Sequence, residues 1–334
     1  MAIPRGQYLQ PLAIAATFAF GSLSSPAHSQ EWPARPLTMV VPTAAGGGAD
    51  IVGRILASRL AELLGQPVII ENVGNAVAAN NRVAKGMPDG YQFVLGFTAH
   101  QAFHPTLYKT PVYNPRTDFA PVALVVEQPF LLVTRTDFPA SNLQEFAAYT
   151  KANEAKLQYG SGAGTGSGNH ISCVMLNAAI GVKVTHVPYR DIGPLTQDMI
   201  AGRIDYQCPL PATMIPLIQT NKVKGISTLG KGRLAGLPDL PSAQEQGLKD
   251  FEAPTWAGFF MPKSTPELII RKLNQATIAT LDTPSVQQRL GAVAASVVSP
   301  ERRSPEYLRD FVASEREALQ HHDVGGVRHN WTRP

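Results

Sequence analysis

An apolar run ending in Val40, Val41 and Pro42 meets a loop of small residues, AAGGGAD over 44–50, which opens an amphipathic helix. Ile51, Val52, Ile55, Leu56, Leu60, Leu63 and Leu64 recur at the spacing of one buried helical face. Asp50 is placed to cap that helix and Gly65 to stop it, and Gln66-Pro67 leads into a second apolar run, Val68-Ile69-Ile70. Strand, loop, helix and strand in this order confine the chain to an α/β fold. The first helical turn carries N–H groups with no partner inside the helix, and the glycines let the backbone close around an anion. The same segment also reads as a plain strand-to-helix turn, its donors satisfied by Asp50 and water.

The alternation continues along the chain. Strands are expected at 93–97, 122–126 and 130–134, with a helix over 142–151. A second series then copies the first: a strand at 157–160, a glycine-rich loop over 161–169, a helix over 170–180 and a strand at 184–188. Helices over 194–201 and 213–219 and strands at 204–207 and 223–227 follow, then a Gly/Pro-rich link over 229–247, a strand at 256–261 and helices over 266–281 and 305–319. The expected architecture is parallel α/β sheets in two lobes, one from 30–130 with 251–320 and the other from 131–250, followed by an irregular tail over 321–334. Two lobes leave a cleft, and both glycine-rich loops fall at strand carboxyl ends, where open α/β sheets bind ligands.

The N-terminus carries Arg5, a small and apolar stretch over 12–23, and Ala27-His28-Ser29 as a cleavage site, so residues 1–29 read as a secretory signal peptide and the chain as an exported, periplasmic protein. No segment reaches the length of a membrane span. The net charge of +4 is scattered, without the basic tracts and interleaved aromatics of nucleic-acid binders. It suits an anionic small molecule and equally an ordinary soluble surface. Cys173 and Cys208 are the two cysteines. In an oxidising compartment they form one disulfide; both also lie in apolar-periodic segments, where thiols can simply be packed.

The second loop, Gly160-Ser161-Gly162-Ala163-Gly164-Thr165-Gly166-Ser167-Gly168-Asn169-His170, offers hydroxyls as well as N–H donors. Its alternating glycines do not fit a dinucleotide fingerprint, no Gly-Lys-Ser/Thr forms a phosphate loop, and Ser161 is not in a nucleophile elbow. No cofactor is expected. His100 and His104 have metal-like spacing but no third ligand, and Pro105 disfavours helix at His104, so no metal is expected either. His170 is read as a loop-ordering hydrogen bonder. Tyr189 and Arg190, at the end of the 184–188 strand, are placed to enter the cleft, where Arg190 forks onto a carboxylate; a surface Arg190 paired with Asp191 is the alternative.

With these residues on view, the chain resembles the Bug-type periplasmic substrate-binding proteins of tripartite tricarboxylate transporters, from about Trp32 to Leu319. The resemblance is carried by Trp32-Pro33-x-x-Pro36, Val41-Pro42 with Gly46-Gly47-x-x-Asp50, Leu64-Gly65-Gln66-Pro67-Val68, Glu71-Asn72, Pro88-Asp89-Gly90-Tyr91 and Asp118-Phe119-Ala120-Pro121-Val122. The second loop, His186-Val187-Pro188-Tyr189, Leu237-Pro238-x-Leu240-Pro241-Ser242, Glu245-x-Gly247 and Trp256 with Phe259-Phe260 extend it. Residues 72–80 are poorer in glycine than the family pattern, and Asp191 stands where it has glycine. The resemblance implies a two-lobe binding-protein fold and a receptor that hands a small carboxylate, whether a di- or tricarboxylate, an amino acid or an aromatic acid, to membrane transporter subunits as a monomer, without nucleic acid and without catalysis. The ligand residues it implies are Thr43, Ala45, Gly46, Gly47, Gly48 and Asp50 from the first loop, Ser161, Gly162, Thr165, Ser167, Asn169 and His170 from the second, and Tyr189 with Arg190. An exported enzyme acting on a carboxylated metabolite and a ligand-sensing partner of a signalling receptor are the alternatives.

Overall fold

The computed structural model describes residues 1–2, 31–103 and 111–321, with side chains through 317. The body of the expected signal peptide, His104, and the tail beyond 321 lie outside the described residues. The chain divides into Met1–Glu31 and Trp32–Pro334, and both sheets belong to the second unit.

The first sheet comes from β1 (Leu37–Val41), β2 (Val68–Asn72), β3 (Gln92–Phe97), β4 (Phe119–Pro129), β10 (Pro254–Pro262) and β11 (Ser296–Val297), in the order β11-β4-β10-β3-β1-β2. One π-helical stretch, Ala99–Phe103, follows β3. The second sheet comes from β5 (Leu131–Thr134), β6 (Gln158–Ser161), β7 (Thr185–Pro188), β8 (Tyr206–Gln207) and β9 (Lys224–Thr228), in the order β7-β6-β8-β5-β9. The helices are α1 (Gly48–Leu64), α2 (Ala76–Ala84), α3 (Leu143–Asn153), α4 (Gly168–Ile180), α5 (Ile192–Ile200), α6 (Pro211–Gln219), α7 (Glu267–Leu281), α8 (Pro284–Ala292) and α9 (Pro305–His321).

Alternation along the strands builds the layers. Leu37, Met39 and Val41 of β1 face one core with Val52, Ile55, Leu56 and Leu60 of α1, Leu273 of α7 and Leu290 of α8. Val40 faces the opposite core, with Ala79 and Val83 of α2 and Leu308 and Val312 of α9. In the second sheet Leu132, Tyr159 and Tyr206 pack on Phe146 of α3 and Leu176 of α4, whereas Leu131 and Val133 pack on Leu195 of α5 and Met214 of α6. Each sheet is thus sandwiched between helices. Every fully buried aliphatic side chain of these faces contributes roughly 1.5–3 kcal/mol relative to exposure.

The expectation of parallel sheets is corrected. β1 is parallel to β2 and β3, and β6 to β7 and β8, but β10 runs antiparallel to both β3 and β4, and β5 antiparallel to β8 and β9. The chain leaves the first sheet at the end of β4 and returns to it in β10, so these two strands arrive from opposite directions. Phe130 is the residue at which the chain changes sheets. Its N–H donates to Ala253 O (3.4 Å), its carbonyl accepts from Leu229 N–H (2.8 Å), and Ala253 N–H donates to Leu229 O (2.8 Å). Outgoing and returning passages lie side by side there.

Candidate functional site

One cavity brings the two glycine-rich loops together. Its wall includes Thr43, Gly48 and Ala49 from the first sheet's side and Gly162, Ala163, Ser167, Gly168 and Asn169 from the second's, with Phe130 between them. Ala76, Ile192 and Thr213 also line it. Gly48, Ala76, Gly168 and Ile192 are the first residues of α1, α2, α4 and α5, and Thr213 lies in the first turn of α6. Helix N-termini carry free N–H groups and about half a positive charge each. Several of them opening on one space is an arrangement that favours an anion, and among the described residues its wall has no Lys or Arg. Asn169 adds a donor: its buried Nδ2 has no hydrogen-bond partner among the described residues.

The first loop is held in shape by Asp50, which is 2 % exposed. The expectation that Asp50 caps α1 is corrected, because the cap position is Gly47 and Asp50 sits in the first turn. Its Oδ2 accepts from Gly46 N–H (2.8 Å) and Arg54 Nε (2.9 Å), and its Oδ1 from Asn72 Nδ2 (2.9 Å). Burial pushes this carboxyl up, but the hydrogen bonds from Arg54, Gly46 and Asn72 and the Arg54 charge outweigh it and hold it below the ordinary range. Asp50 is therefore an ionised brace behind the loop. Gly47 is required by close approach, since a Cβ there would fall 2.5 Å from Thr43 Oγ1. Ala45, Gly46, Gly47 and Asp50 shape the loop from outside the cavity wall.

The second loop rests on a stack of rings. Ser161 is fully buried; its Oγ donates to Gly164 O (3.2 Å) and lies 2.7 Å from His186 Nε2. His170 and His186 have ring centroids 4.1 Å apart, and the Tyr159 ring stacks on both. Burial pushes His170 down to about 3, with His186 adding to the effect, and burial pushes His186 down to about 4. Both imidazoles are neutral at pH 7. Gly166 donates its N–H to His170 Nδ1 (3.5 Å) and Ser167 Oγ accepts from His170 N–H (3.4 Å), so the histidine ties the loop to the helix it opens. The Ser161–His186 contact has the spacing of a nucleophile and base, but both side chains lie beneath the loop, outside the cavity wall.

Tyr189 turns away from the cavity. Its hydroxyl donates to Asp198 Oδ2 (2.6 Å), and burial, then Asp198, push the phenol up to about 12. Its backbone clamps the second loop through Tyr189 N–H to Ser161 O and Gly164 N–H to Tyr189 O, both 2.9 Å. Arg190 is exposed and makes no ion pair among the described residues, so neither it nor Tyr189 is in the wall. Of the residues expected to hold ligand, Thr43, Gly48, Gly162, Ser167 and Asn169 line the cavity, while Ser161, Thr165, His170, Tyr189 and Arg190 do not.

Sequence reasoning missed Ala76, Phe97, His100, Phe130, Ile192, Leu210, Thr213 and Thr255 in the wall. For Ala76 a signal existed: Asn75 caps α2, its Oδ1 accepting from Ala78 N–H (3.0 Å). The glycine-poor stretch over 72–80 is thus the start of a helix. Cys173 and Cys208 form a disulfide with Cα atoms 5.4 Å apart, joining α4 to the end of β8 beneath the second loop. Among the described residues no cluster of three His, Cys, Asp or Glu is arranged to hold a metal, and no helix is long and apolar enough to cross a membrane.

Comparison with known proteins places this geometry. The model of a family described as the tripartite tricarboxylate transporter family receptor (TctC) matches residues 52–321. A UPF0065 protein of Agrobacterium vitis is 36 % identical over 294 residues, covering 86 % of this chain and 83 % of its own. MatC from Rhodopseudomonas palustris, solved with bound malate, is 37 % identical with a TM-score of 0.81, covering 88 % of this chain and 99 % of its own. The periplasmic binding protein BugD is 35 % identical with the same TM-score of 0.81, covering 86 % of this chain and 96 % of its own. The two solved structures have the two-lobe periplasmic binding-protein fold, and this chain shares it.

Proposed function

Because the chain belongs to the tripartite tricarboxylate transporter family of solute-binding receptors, we propose that it captures a small organic acid by its carboxylate and delivers it to membrane transporter subunits. The observation that carries this reading is the convergence of helix N-termini on one cavity whose wall, among the described residues, has no Asp, Glu, Lys or Arg. The carboxylate sits among the first-turn N–H groups of α1 and α4, with Asn169 donating from the side. Asp50, Ser161, His170 and His186 brace the two loops. The malate in the related structure fits this chemistry.

Export through a cleavable signal peptide over residues 1–29 belongs to the same reading, and a disulfide suits an oxidising periplasm. The receptor acts as a monomer whose two lobes, 30–130 with 251–320 and 131–250, hinge at Phe130, Leu229 and Ala253. A ligand that touches both loops favours the closed arrangement by its differential affinity for it.

The test is calorimetric titration and thermal shift of the mature protein with carboxylic acids and their amides. At 100 times its dissociation constant an acid is expected to add about 2.7 kcal/mol of stability, and its amide to add none. Small-angle scattering is expected to show a smaller radius of gyration with the acid bound. Equal effects of acid and amide, or no effect of any acid, would refute the reading.

Gly48 gives a sharper mutational test. A Cβ at this position would lie 3.0 Å from Leu210 Cβ, so α1 and the start of α6 meet across the cavity with no room for a side chain. Gly48→Val is expected to act as a wedge between the two sides, weakening acid binding roughly tenfold or more, about 1.4 kcal/mol. Its unfolding temperature without ligand stays near that of the parent. Unchanged affinity in the folded variant would show that the two sides need not approach.

A further inference from the structure

A second cavity of about 170 Å³, partly open to solvent, adjoins the first. Phe130, Gly168 and Thr255 line both, so the Phe130 ring at the crossing between the sheets is their common wall. The rear chamber is otherwise walled by Ala99, Phe103, Ile171, Met175, Pro254 and the carboxyl of Glu315, among others. Its hydroxyls are spoken for within the protein. Ser172 Oγ donates to Asn169 O (3.1 Å) and Cys208 O (3.3 Å); Thr98 Oγ1 accepts from Trp256 N–H (2.8 Å) and from Thr255 Oγ1 (3.3 Å). Glu315 accepts from Trp256 Nε1 (3.3 Å).

We propose that this receptor selects monocarboxylates with an apolar ring or branched body, the carboxylate at the helix N-termini and the body passing Phe130 into the rear chamber. The inference rests on the carboxylate reading above and names its substrate class. The chamber has the size of apolar cavities that accept a benzene ring, about 150 Å³. A second carboxylate at the far end of a ligand would find neither Lys nor Arg among the described residues of either wall, and would meet Glu315 instead. Losing its hydration there without a partner is unfavourable, whereas an apolar body gains by leaving water. Burial raises the Glu315 carboxyl above its ordinary range, in keeping with a chamber poor in water.

The experiment uses the full mature, disulfide-bonded protein and isothermal titration at neutral pH. The probes are benzoate, phenylacetate and 4-methylvalerate on one side, and succinate and malate on the other. At least one apolar monocarboxylate is expected to bind tenfold or more tightly than either dicarboxylate. Met175→Trp, which fills the chamber from α4, is expected to weaken that monocarboxylate tenfold or more, with the circular dichroism and unfolding temperature of a folded protein. Ala99→Leu fills it independently from the first sheet's side and is expected to act in the same direction. Dicarboxylates binding as tightly as every apolar monocarboxylate, or undiminished monocarboxylate affinity in both folded variants, would overturn the proposal while leaving the carboxylate reading standing. Binding of no acid in either class would overturn both.

Discussion

Loss of the Cys173–Cys208 bond is expected to lower the unfolding free energy by about 3 to 4 kcal/mol in the chain-entropy description, from a sequence separation of 35 residues. The bond lies in a fully buried environment, within the core formed by Phe146, Leu176 and Tyr206. It ties α4, whose first residues Gly168 and Asn169 line the ligand cavity, to the residue that follows β8. Denaturant titration of the parent and of a Cys173→Ala, Cys208→Ala variant checks the magnitude. Equal midpoints would show that the link does not restrict the unfolded chain. Thiol titration of the denatured, unreduced parent is expected to find no free thiol. A further consequence concerns the site: freed from β8, the N-terminus of α4 is less firmly placed, so acid binding weakens in the variant even where it remains folded.

How far the site could be read from the sequence depends on which atoms carry it. Both glycine-rich loops were legible because their function is written in the backbone: small residues between an apolar strand and an amphipathic helix fix where N–H groups converge. Gly48, Gly162, Ser167 and Asn169 duly stand in the cavity wall. What side chains do inside each loop was not legible. Ser161 is spent on His186, 25 positions away, and Asp50 on Asn72, 22 positions away, pairings that local spacing does not encode.

The fold shows the same division. α1, α7 and α9 follow from strong apolar periodicity, whereas α2 and α8 were missed: Asn80 and Asn81 interrupt the pattern of α2, and α8 buries only Val286 and Leu290. The strands near 122–126 and 130–134 were seen, and the lobe boundary expected between residues 130 and 131 coincides with Phe130, where the chain passes from one sheet to the other. Not legible was the pairing of that crossing with the returning passage, Leu229 and Ala253, residues more than ninety positions away. The antiparallel strands and the shared wall of the two cavities follow from that pairing and were missed with it.

Stability is expected to fall steeply as pH drops from about 6.5 toward 4, because of the two histidines under the second loop. In the unfolded chain each imidazole takes up a proton near pH 6.5. In the folded protein burial delays uptake to about 3 for His170 and about 4 for His186. Across that window the unfolded state holds more protons, so the free energy of unfolding decreases as pH decreases, and the loss is complete only below the folded values. At about pH 5 the two together are expected to cost on the order of 2 to 4 kcal/mol, the lower end reflecting the partial exposure of His186. Asp50 acts in the same direction but lower, since a carboxyl held below the ordinary range loses its contribution only as pH falls through and below that range. The interval above pH 4.5 or so thus belongs chiefly to the histidines. Unfolding midpoints in urea between pH 7.5 and 4.5 check this, with His186→Gln removing one titration while keeping a polar partner for Ser161 Oγ. The variant is expected to be less stable than the parent at pH 7.5 and to lose less on acidification. Parallel pH profiles for the two proteins would mean that His186 accepts its proton in the folded state as readily as in water, and that the ring stack beneath the ligand loop is open to solvent.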